Sequence, residues 1–107
     1  MVIESASQIK QSISEYLKTV DKKYSLAKAY LFGSYANGTA NEDSDIDIAL
    51  ISPGFSGDRF TDNVEVRVLT WGINTKIEAV AFRPEEFNEN NLLASEILAN
   101  GRELEIE

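Results

Sequence analysis

Apolar residues near the N-terminus recur every three or four positions, the spacing of one face of a helix. This stripe consists of Ile9, Ile13, Leu17 and Val20, with Tyr16 beside it. It predicts a helix that packs this face against a core and ends near Val20, before a polar turn at residues 21–23. Ser5 and Gln8 have the spacing of a capping box at the start of this helix.

Three later runs are apolar and short, which is typical of strands. They are Leu26 to Phe32, Asp45 to Ile51 and Ile77 to Phe82. Between the first two runs, Ser34 to Asn37 predicts a single helical turn that Gly38 ends, followed by a loop from Thr39 to Ser44. After the second run, the segment Ser52 to Gly57 contains Pro and Gly and breaks regular structure.

A second stripe with helical spacing follows that break. Its members are Phe60, Val64, Val68 and either Leu69 or Trp71. We expect Asp58 or Thr61 to cap a helix that runs to about Trp71 and turns this stripe inward. The β-branched valines of the segment would equally allow a strand. The helix is favoured because two parallel strands need a long crossover between them.

The C-terminal part predicts three short elements. They are a helical turn from Pro84 to Phe87, a helix from Leu92 to Ala99 ended by Asn100-Gly101, and an edge strand from Glu103 to Glu107. Together, the elements predict an α/β (α+β) domain with one small mixed β-sheet flanked by helices. The crossover makes the second and third strands parallel. The first and second strands must be antiparallel if Gly33 and Asp45 are to face one site.

Composition limits the possible classes of protein. With 107 residues, 43% of them hydrophobic, the chain has room for one globular domain, residues 1–107. No apolar run approaches the ~20 residues that span a bilayer, and the N-terminus lacks the features of a signal peptide. Cysteine and histidine are absent, which excludes disulfides, thiol catalysis and imidazole chemistry. We expect a cytoplasmic protein.

The charge balance is acidic, with 18 Asp and Glu residues against 10 Lys and Arg residues and a net charge of −8. Such a charge opposes the phosphate contacts that dominate affinity for nucleic acids. DNA or RNA is therefore not expected as the main substrate. A protein partner with a basic face suits this charge better.

The candidate chemistry lies around two carboxylates. Residues two apart in a strand share a face, so Asp45 and Asp47 project together while Ile46 enters the core. Carboxylates this close repel each other unless a cation binds between them or they share a proton. Such oxygen ligands suit Mg²⁺, which combines one or two carboxylates with substrate phosphates. The turn at Gly33 and Ser34 can present N–H groups and a hydroxyl to those phosphates, so the segment predicts a nucleotide-handling site.

This ordered set of motifs resembles the signature of the nucleotidyltransferase superfamily, which has the DNA polymerase β-like fold. It is most similar to the minimal nucleotidyltransferase domains. The matching segments are Leu31 to Ala36, Gly38 to Ala40 and Ser44 to Ala49, with a weaker similarity through Phe82 to Phe87. The resemblance implies that two Mg²⁺ ions are held by Asp45 and Asp47. It also implies that Gly33 and Ser34 grip a nucleoside triphosphate, from which an acceptor hydroxyl displaces pyrophosphate.

The resemblance further implies a third carboxylate, usually Asp, on the third strand. Glu78 is the only acidic residue of that run, and we assign it as the third catalytic and metal-binding residue. The alternative is a solvent-facing strand residue, since Lys76 shares its face. Asn37 is a departure, because the family commonly carries Arg or Lys at that position to bind phosphate.

The biological role follows from the same resemblance. Minimal nucleotidyltransferases pair with helical HEPN-domain toxins. The resemblance thus implies an antitoxin that transfers AMP from ATP to a hydroxyl of its partner protein. Two alternatives stay open: a catalytically silent antitoxin of the same fold that acts by binding, and a nucleotidyltransferase acting on a small molecule such as an aminoglycoside.

Overall fold

The computed structural model describes residues 6–41 and 43–106, and its elements follow the predicted order. The helices are α1 (Ala6–Tyr24), α2 (Ser34–Asn37), α3 (Arg59–Val68) and α4 (Leu92–Asn100), with a 3-10 turn at Pro84–Glu86. The strands are β1 (Lys28–Phe32), β2 (Ile46–Ile51), β3 (Ile77–Phe82) and β4 (Arg102–Leu104). The predicted capping box depends on Ser5, which lies outside the described residues. Within these two ranges, no helix has the length and apolar character needed to cross a membrane.

The four strands of the described residues form one sheet in the order β3-β2-β1-β4. β1 runs antiparallel to both β2 and β4, whereas β2 and β3 are parallel. The predicted mixed sheet and its strand directions are therefore confirmed. β4 is the predicted edge strand, although it ends at Leu104, and Glu107 lies outside the described residues.

Helices cover both faces of this sheet. On one face, α1 and α3 contribute to a core that includes Tyr16, Leu17, Ile48, Leu50 and Val66. On the other face, α4 contributes to a core that includes Tyr30, Ala49, Ile51, Phe82 and Ile97. Alternate residues of β2 thus enter opposite cores, and every residue of the strand is buried except Asp47, which is only partly buried.

The first helix is longer than the sequence predicts. α1 continues through residues 21–23, for which a polar turn is expected, and ends at Tyr24 rather than near Val20. The Tyr24 ring packs against Phe55, with 4.7 Å between the ring centroids. The Asp21 carboxylate accepts a hydrogen bond from the Leu26 N–H at 2.8 Å. These contacts with residues beyond the helix stabilise an additional turn that periodicity alone does not indicate.

Helix α3 is present with one of the predicted caps, but its predicted inward face is wrong. The Asp58 side chain accepts a hydrogen bond from the Thr61 N–H at 3.2 Å and caps the helix, which ends at Val68 rather than at Trp71. The apolar residues expected to point inward are exposed, namely Phe60, Val64, Val68 and Trp71. The buried residues are instead Asp62 and Val66, and Leu69 is partly buried.

Polar contacts to other segments explain this orientation of α3. The buried Asp62 carboxylate accepts hydrogen bonds from the Ser56 N–H, the Ser56 hydroxyl and the Gly57 N–H, at 3.0, 2.8 and 3.0 Å. The Val66 carbonyl accepts one from the Tyr16 hydroxyl at 2.6 Å. Because these donors belong to the preceding loop and to α1, the spacing of apolar residues within α3 does not predict these hydrogen bonds.

The same orientation lets α3 cover the open edge of β3. Asn63 Oδ1 accepts a hydrogen bond from the Ala81 N–H at 2.9 Å, and Arg67 Nε donates to the Ala79 carbonyl at 3.2 Å. Unpaired backbone groups at a sheet edge would otherwise be free to pair with another chain. α3 therefore runs antiparallel to β3 and brings its C-terminal end close to Glu78.

Candidate active site

Two of the predicted site residues lie side by side on neighbouring strands. Asp47 of β2 is the register partner of Glu78 of β3. Partners in a parallel pair project from the same face of the sheet, which here is the face that also carries α4. Asp47 is partly buried and Glu78 is exposed. The two carboxylates thus lie next to each other near the N-terminal ends of β2 and β3.

Asp45 lies immediately before β2, which begins at Ile46 rather than at the predicted Asp45. The Ile46 N–H donates to the Lys76 carbonyl at 2.9 Å, so the chain entering β2 lies beside the chain entering β3. The exposed Asp45 shares a cleft with Glu78. The fold therefore brings the three predicted carboxylates into one neighbourhood.

The environment of Asp47 is unfavourable to a negative charge. Burial raises the pKa of its carboxyl group, and the negative charges of Glu78 and Asp45 raise it further. Each of these effects disfavours the ionised form. A cation bound among the three carboxylates would remove this repulsion.

The turn at Gly33 is built against this carboxylate. Gly33 has φ 71° and ψ −150°, a conformation that is essentially restricted to glycine. A Cβ atom added there would collide with an Asp47 carboxylate oxygen and lie 3.2 Å from its Cγ. The Gly33 carbonyl accepts hydrogen bonds from the Ala36 and Asn37 N–H groups at 3.1 and 3.0 Å. Glycine is thus needed both for the turn and for its close approach to Asp47.

The remaining predicted site residues lie on the short elements around that turn. Ser34 opens α2, and its carbonyl accepts hydrogen bonds from the N–H groups of Gly38 and Thr39. Asn37, at the end of α2, is exposed. The Ser44 hydroxyl oxygen accepts a hydrogen bond from the Asn41 N–H at 2.9 Å, and so braces the loop before Asp45.

The donor set around Asp47 consists of carboxylate oxygens, which are the ligands that Mg²⁺ prefers. In the part of the chain that the structure describes, no three acidic side chains already converge as they would around a metal ion. Glu78 Oε1 is 3.6 Å from Arg67 Nη2, in an ion pair that is about half exposed. The three carboxylates fit Mg²⁺ in chemical type, and Glu78 would have to turn from Arg67 to join them.

A cleft of about 280 Å³ separates the end of α3 from the start of β3, next to these carboxylates. Its lining includes Asp45, Arg67, Thr70, Trp71, Lys76 and Glu78. The sequence does not identify Arg67 and Thr70 as residues near the site. The spacing of apolar residues in α3 predicts the orientation with Val64 and Val68 inward, and that orientation does not bring Arg67 to the edge of the sheet.

The fold and its cluster of carboxylates beside a glycine turn are the features predicted for a nucleotide-handling protein. Comparison with known proteins identifies the family. A family model described as a nucleotidyltransferase domain matches residues 13–104, a span that contains every predicted site residue. The chain therefore belongs to the nucleotidyltransferase domain family. The family and the polymerase β-like fold implied by the sequence motifs are confirmed.

One relative is a protein of Methanocaldococcus jannaschii, MJ1379, whose name describes it provisionally as a protein adenylyltransferase. The two sequences are 41% identical over 46 residues, which is 43% of this chain and 46% of the relative. The similarity thus spans less than half of the relative's length.

Two solved structures share the fold. A crystal structure described as a toxin–antitoxin with AMP-PNP matches with a TM-score of 0.58 and 20% identity, over 94% of this chain and 73% of that chain. A mutant of the toxin–antitoxin MntA-HpeT matches with a TM-score of 0.57 and 17% identity, over 97% and 75% of the two chains. At these identities the likeness shows the fold alone.

Proposed function

We propose that this protein is a Mg²⁺-dependent nucleotidyltransferase that transfers AMP from ATP to a hydroxyl group of a partner protein. The observation that carries the proposal is the placement of Asp47 beside Glu78 and against the Gly33 turn, where burial and neighbouring acidic groups raise the Asp47 pKa. A site that concentrates negative charge in this way suits a divalent cation together with a phosphate chain.

In this proposal, Asp45 and Asp47 would hold two Mg²⁺ ions, and Glu78 would complete the binding of one of them. Gly33 and Ser34 hold the triphosphate of ATP with backbone N–H groups and the Ser34 hydroxyl. Bound Mg²⁺ supplies neutralisation of phosphate charge and lowers the pKa of the attacking hydroxyl.

The reaction is an in-line displacement at the α-phosphorus. The acceptor oxygen forms a bond to phosphorus as the bond to the bridging oxygen of the β-phosphate breaks, and pyrophosphate leaves on the opposite side. The proton of the acceptor hydroxyl passes to solvent. Positioning and charge neutralisation suffice for this chemistry, which suits a chain that has neither His nor Cys to act as a nucleophile.

The proposed partner is a helical HEPN-type toxin, for which this protein would be the antitoxin, and the proposed location of both is the cytoplasm. Two observations support a protein acceptor. The fold neighbours are described as toxin–antitoxin structures, one of them with an ATP analogue, and the M. jannaschii relative carries the name of a protein adenylyltransferase. The net charge of −8 also suits association with a basic protein surface.

A second candidate is an antitoxin of the same fold that acts by binding and does not catalyse. The ion pair between Glu78 and Arg67 favours this candidate, because it engages the carboxylate assigned to metal binding. The exposed position of Asn37, where the family commonly carries a cation, points the same way.

The test is to incubate the purified protein with labelled ATP, Mg²⁺ and the product of the adjoining gene, and to follow both proteins by intact mass. We expect the partner to gain one or more AMP units. The gain should disappear in the double variant Asp45→Ala/Asp47→Ala and when EDTA removes the metal. A complex that forms equally well with either variant, without any AMP transfer, would support the binding antitoxin instead.

A further inference from the structure

Helix α3 presents an exposed apolar stripe that the fold itself does not use. Its members are Phe60, Val64, Val68 and Trp71, with exposed fractions of 80%, 46%, 43% and 71%. Phe60, Val64 and Val68 are spaced by four residues, which places them on one side of α3 over a length of about 12 Å. Trp71 lies in the turn that follows, three residues beyond the end of the helix. The other large exposed apolar residues described are Leu92 and Leu98 on α4, which lie six positions apart and on different sides of their helix.

This stripe ends at the candidate active site. α3 runs antiparallel to β3, since Asn63 contacts Ala81 and Arg67 contacts Ala79. Residues that follow the helix therefore approach the beginning of β3. Trp71, the last member of the stripe, lines the cleft that also contains Glu78. An object bound along the stripe would thus reach the carboxylates at one end.

The order of the strands shows from which side an acceptor must come. The Gly33 turn, at the end of β1, is the proposed site of the triphosphate, and the sheet order places β2 and then β3 beyond it. In an in-line displacement, the attacking oxygen and the leaving pyrophosphate lie on opposite sides of the α-phosphorus. The acceptor must therefore enter from the β3 side, where the cleft and α3 are found.

From these observations, we propose that the α3 stripe is the docking surface for the acceptor protein. This inference rests on the proposed function and identifies the surface that would recognise the substrate. The occupant is a folded protein that has an apolar face and a basic surface elsewhere. Its apolar face covers Phe60, Val64 and Val68, and its acceptor hydroxyl enters the cleft beside Trp71.

The chemistry of the surface favours such an occupant over a small molecule or a nucleic acid. Exposed Phe and Trp are residues that contribute strongly to protein interfaces when a partner covers them. A small acceptor could reach the cleft without contacting the distant Phe60 end of the stripe. The net charge of −8 selects basic proteins and disfavours phosphate backbones.

The experiment compares two double variants of exposed apolar residues. Phe60→Ser/Val64→Ser removes the part of the stripe that lies outside the cleft, and Leu92→Ser/Leu98→Ser is the matched control on α4. With the product of the adjoining gene as acceptor, we expect the first variant to raise the KM for the acceptor and the Kd of the complex about tenfold or more. The control should leave both values within about twofold of wild type.

Two further measurements make the outcomes distinct. Both variants should bind AMP-PNP with Mg²⁺ as wild type does in calorimetry, and kcat at saturating acceptor should be unchanged, because neither pair of residues touches the proposed nucleotide site. If wild type forms the complex but transfers no AMP, the proposed function fails while the Kd comparison still tests the docking surface.

The proposal is overturned if Phe60→Ser/Val64→Ser binds the partner as tightly as wild type. It is also overturned if wild type forms no complex with that partner. Loss of a homodimer without loss of partner binding, measured by analytical ultracentrifugation, would overturn it too and would assign the stripe to a second copy of this chain.

Discussion

The carboxyl group of Asp47 lies partly buried between two other acidic side chains, which raises its pKa above the ordinary value of 3.8. A group whose pKa is higher in the folded state binds more protons there than in the unfolded state. The free energy of unfolding must then fall as the pH rises from below 3.8 through the raised folded value. The penalty of the ionised group is therefore greater at neutral pH than at pH 3.8.

We therefore predict that Asp47→Asn raises the Tm at pH 7 in the absence of metal, while AMP transfer falls about 100-fold or more. The gain in Tm should shrink as the pH is lowered towards 3.8, because the wild-type carboxyl group is then protonated as well. Thermal unfolding at pH 7 and at pH 3.5 checks this, with the exposed Glu103→Gln as control. A lower Tm for Asp47→Asn at pH 7 would show that the group is not electrostatically unfavourable.

Gly33 and Gly38 both have positive φ, 71° and 77°, but they differ in ψ, −150° and 17°. Gly38 is in the left-handed helical region, where an alanine is strained by about 1–2 kcal/mol. Gly33 is in a region that is essentially restricted to glycine, so an alanine there is strained further. In addition, only at Gly33 would the added Cβ collide with Asp47, since nothing lies within 4 Å of a Cβ at Gly38.

We predict that Gly38→Ala lowers the free energy of unfolding by about 1–2 kcal/mol and keeps most of the activity. Gly33→Ala should lower it clearly further and abolish AMP transfer, because the Asp47 carboxylate must move. Urea unfolding and the transfer assay measure both effects. Equal losses of stability for the two variants would contradict the prediction, because Gly33 has both the more restricted backbone conformation and the contact with Asp47.

At the level of elements, α3 shows how a helix can be turned against its own apolar pattern. The alternative orientation would bury Phe60, Val64 and Val68, but it would expose Val66 and remove the hydrogen bonds of Asp62. Three donors depend on the Asp62 carboxylate, which is 4% exposed. These three hydrogen bonds to a buried, charged group stabilise the observed orientation, whereas the exposed apolar side chains can still be covered by a partner.

We predict that Asp62→Ala lowers the free energy of unfolding by about 2–4 kcal/mol, since it removes three hydrogen bonds to a buried, charged group. Asp58→Ala, which removes the N-cap of the same helix, should cost about 1 kcal/mol. Chemical denaturation of both variants compares the two carboxylates. If Asp62→Ala cost no more than Asp58→Ala, another interaction would have to hold the orientation of α3.

At the scale of the whole molecule, the sheet presents carboxylates at one end and an edge that α3 covers. One end of β2 and β3 carries Asp47 and Glu78, and α3 lies along the free edge of β3. The Gly33 turn approaches Asp47 from the β1 side. In the proposed reaction, the nucleotide and the acceptor would therefore reach the carboxylates from different strands.

Much of this arrangement could be predicted from the sequence. The alternation in β2 placed Ile48 and Leu50 in a core and Asp47 on the other face, because the side-chain period of a strand is a property of the backbone. The direction of β2 relative to β3 followed from the length of the crossover. The ordered motifs identified the family, because the spacing of glycine and carboxylates along the chain can be recognised without the tertiary structure.

Only the tertiary structure decided the phase of α3, the length of α1 and the place of Arg67 beside Glu78. Each depends on partners far away in the chain: Tyr16 is 50 residues from Val66, and Arg67 meets β3 only because α3 is turned. Periodicity states which residues share a face of an element. The direction in which that face points is set by the hydrogen bonds and packing that other elements offer.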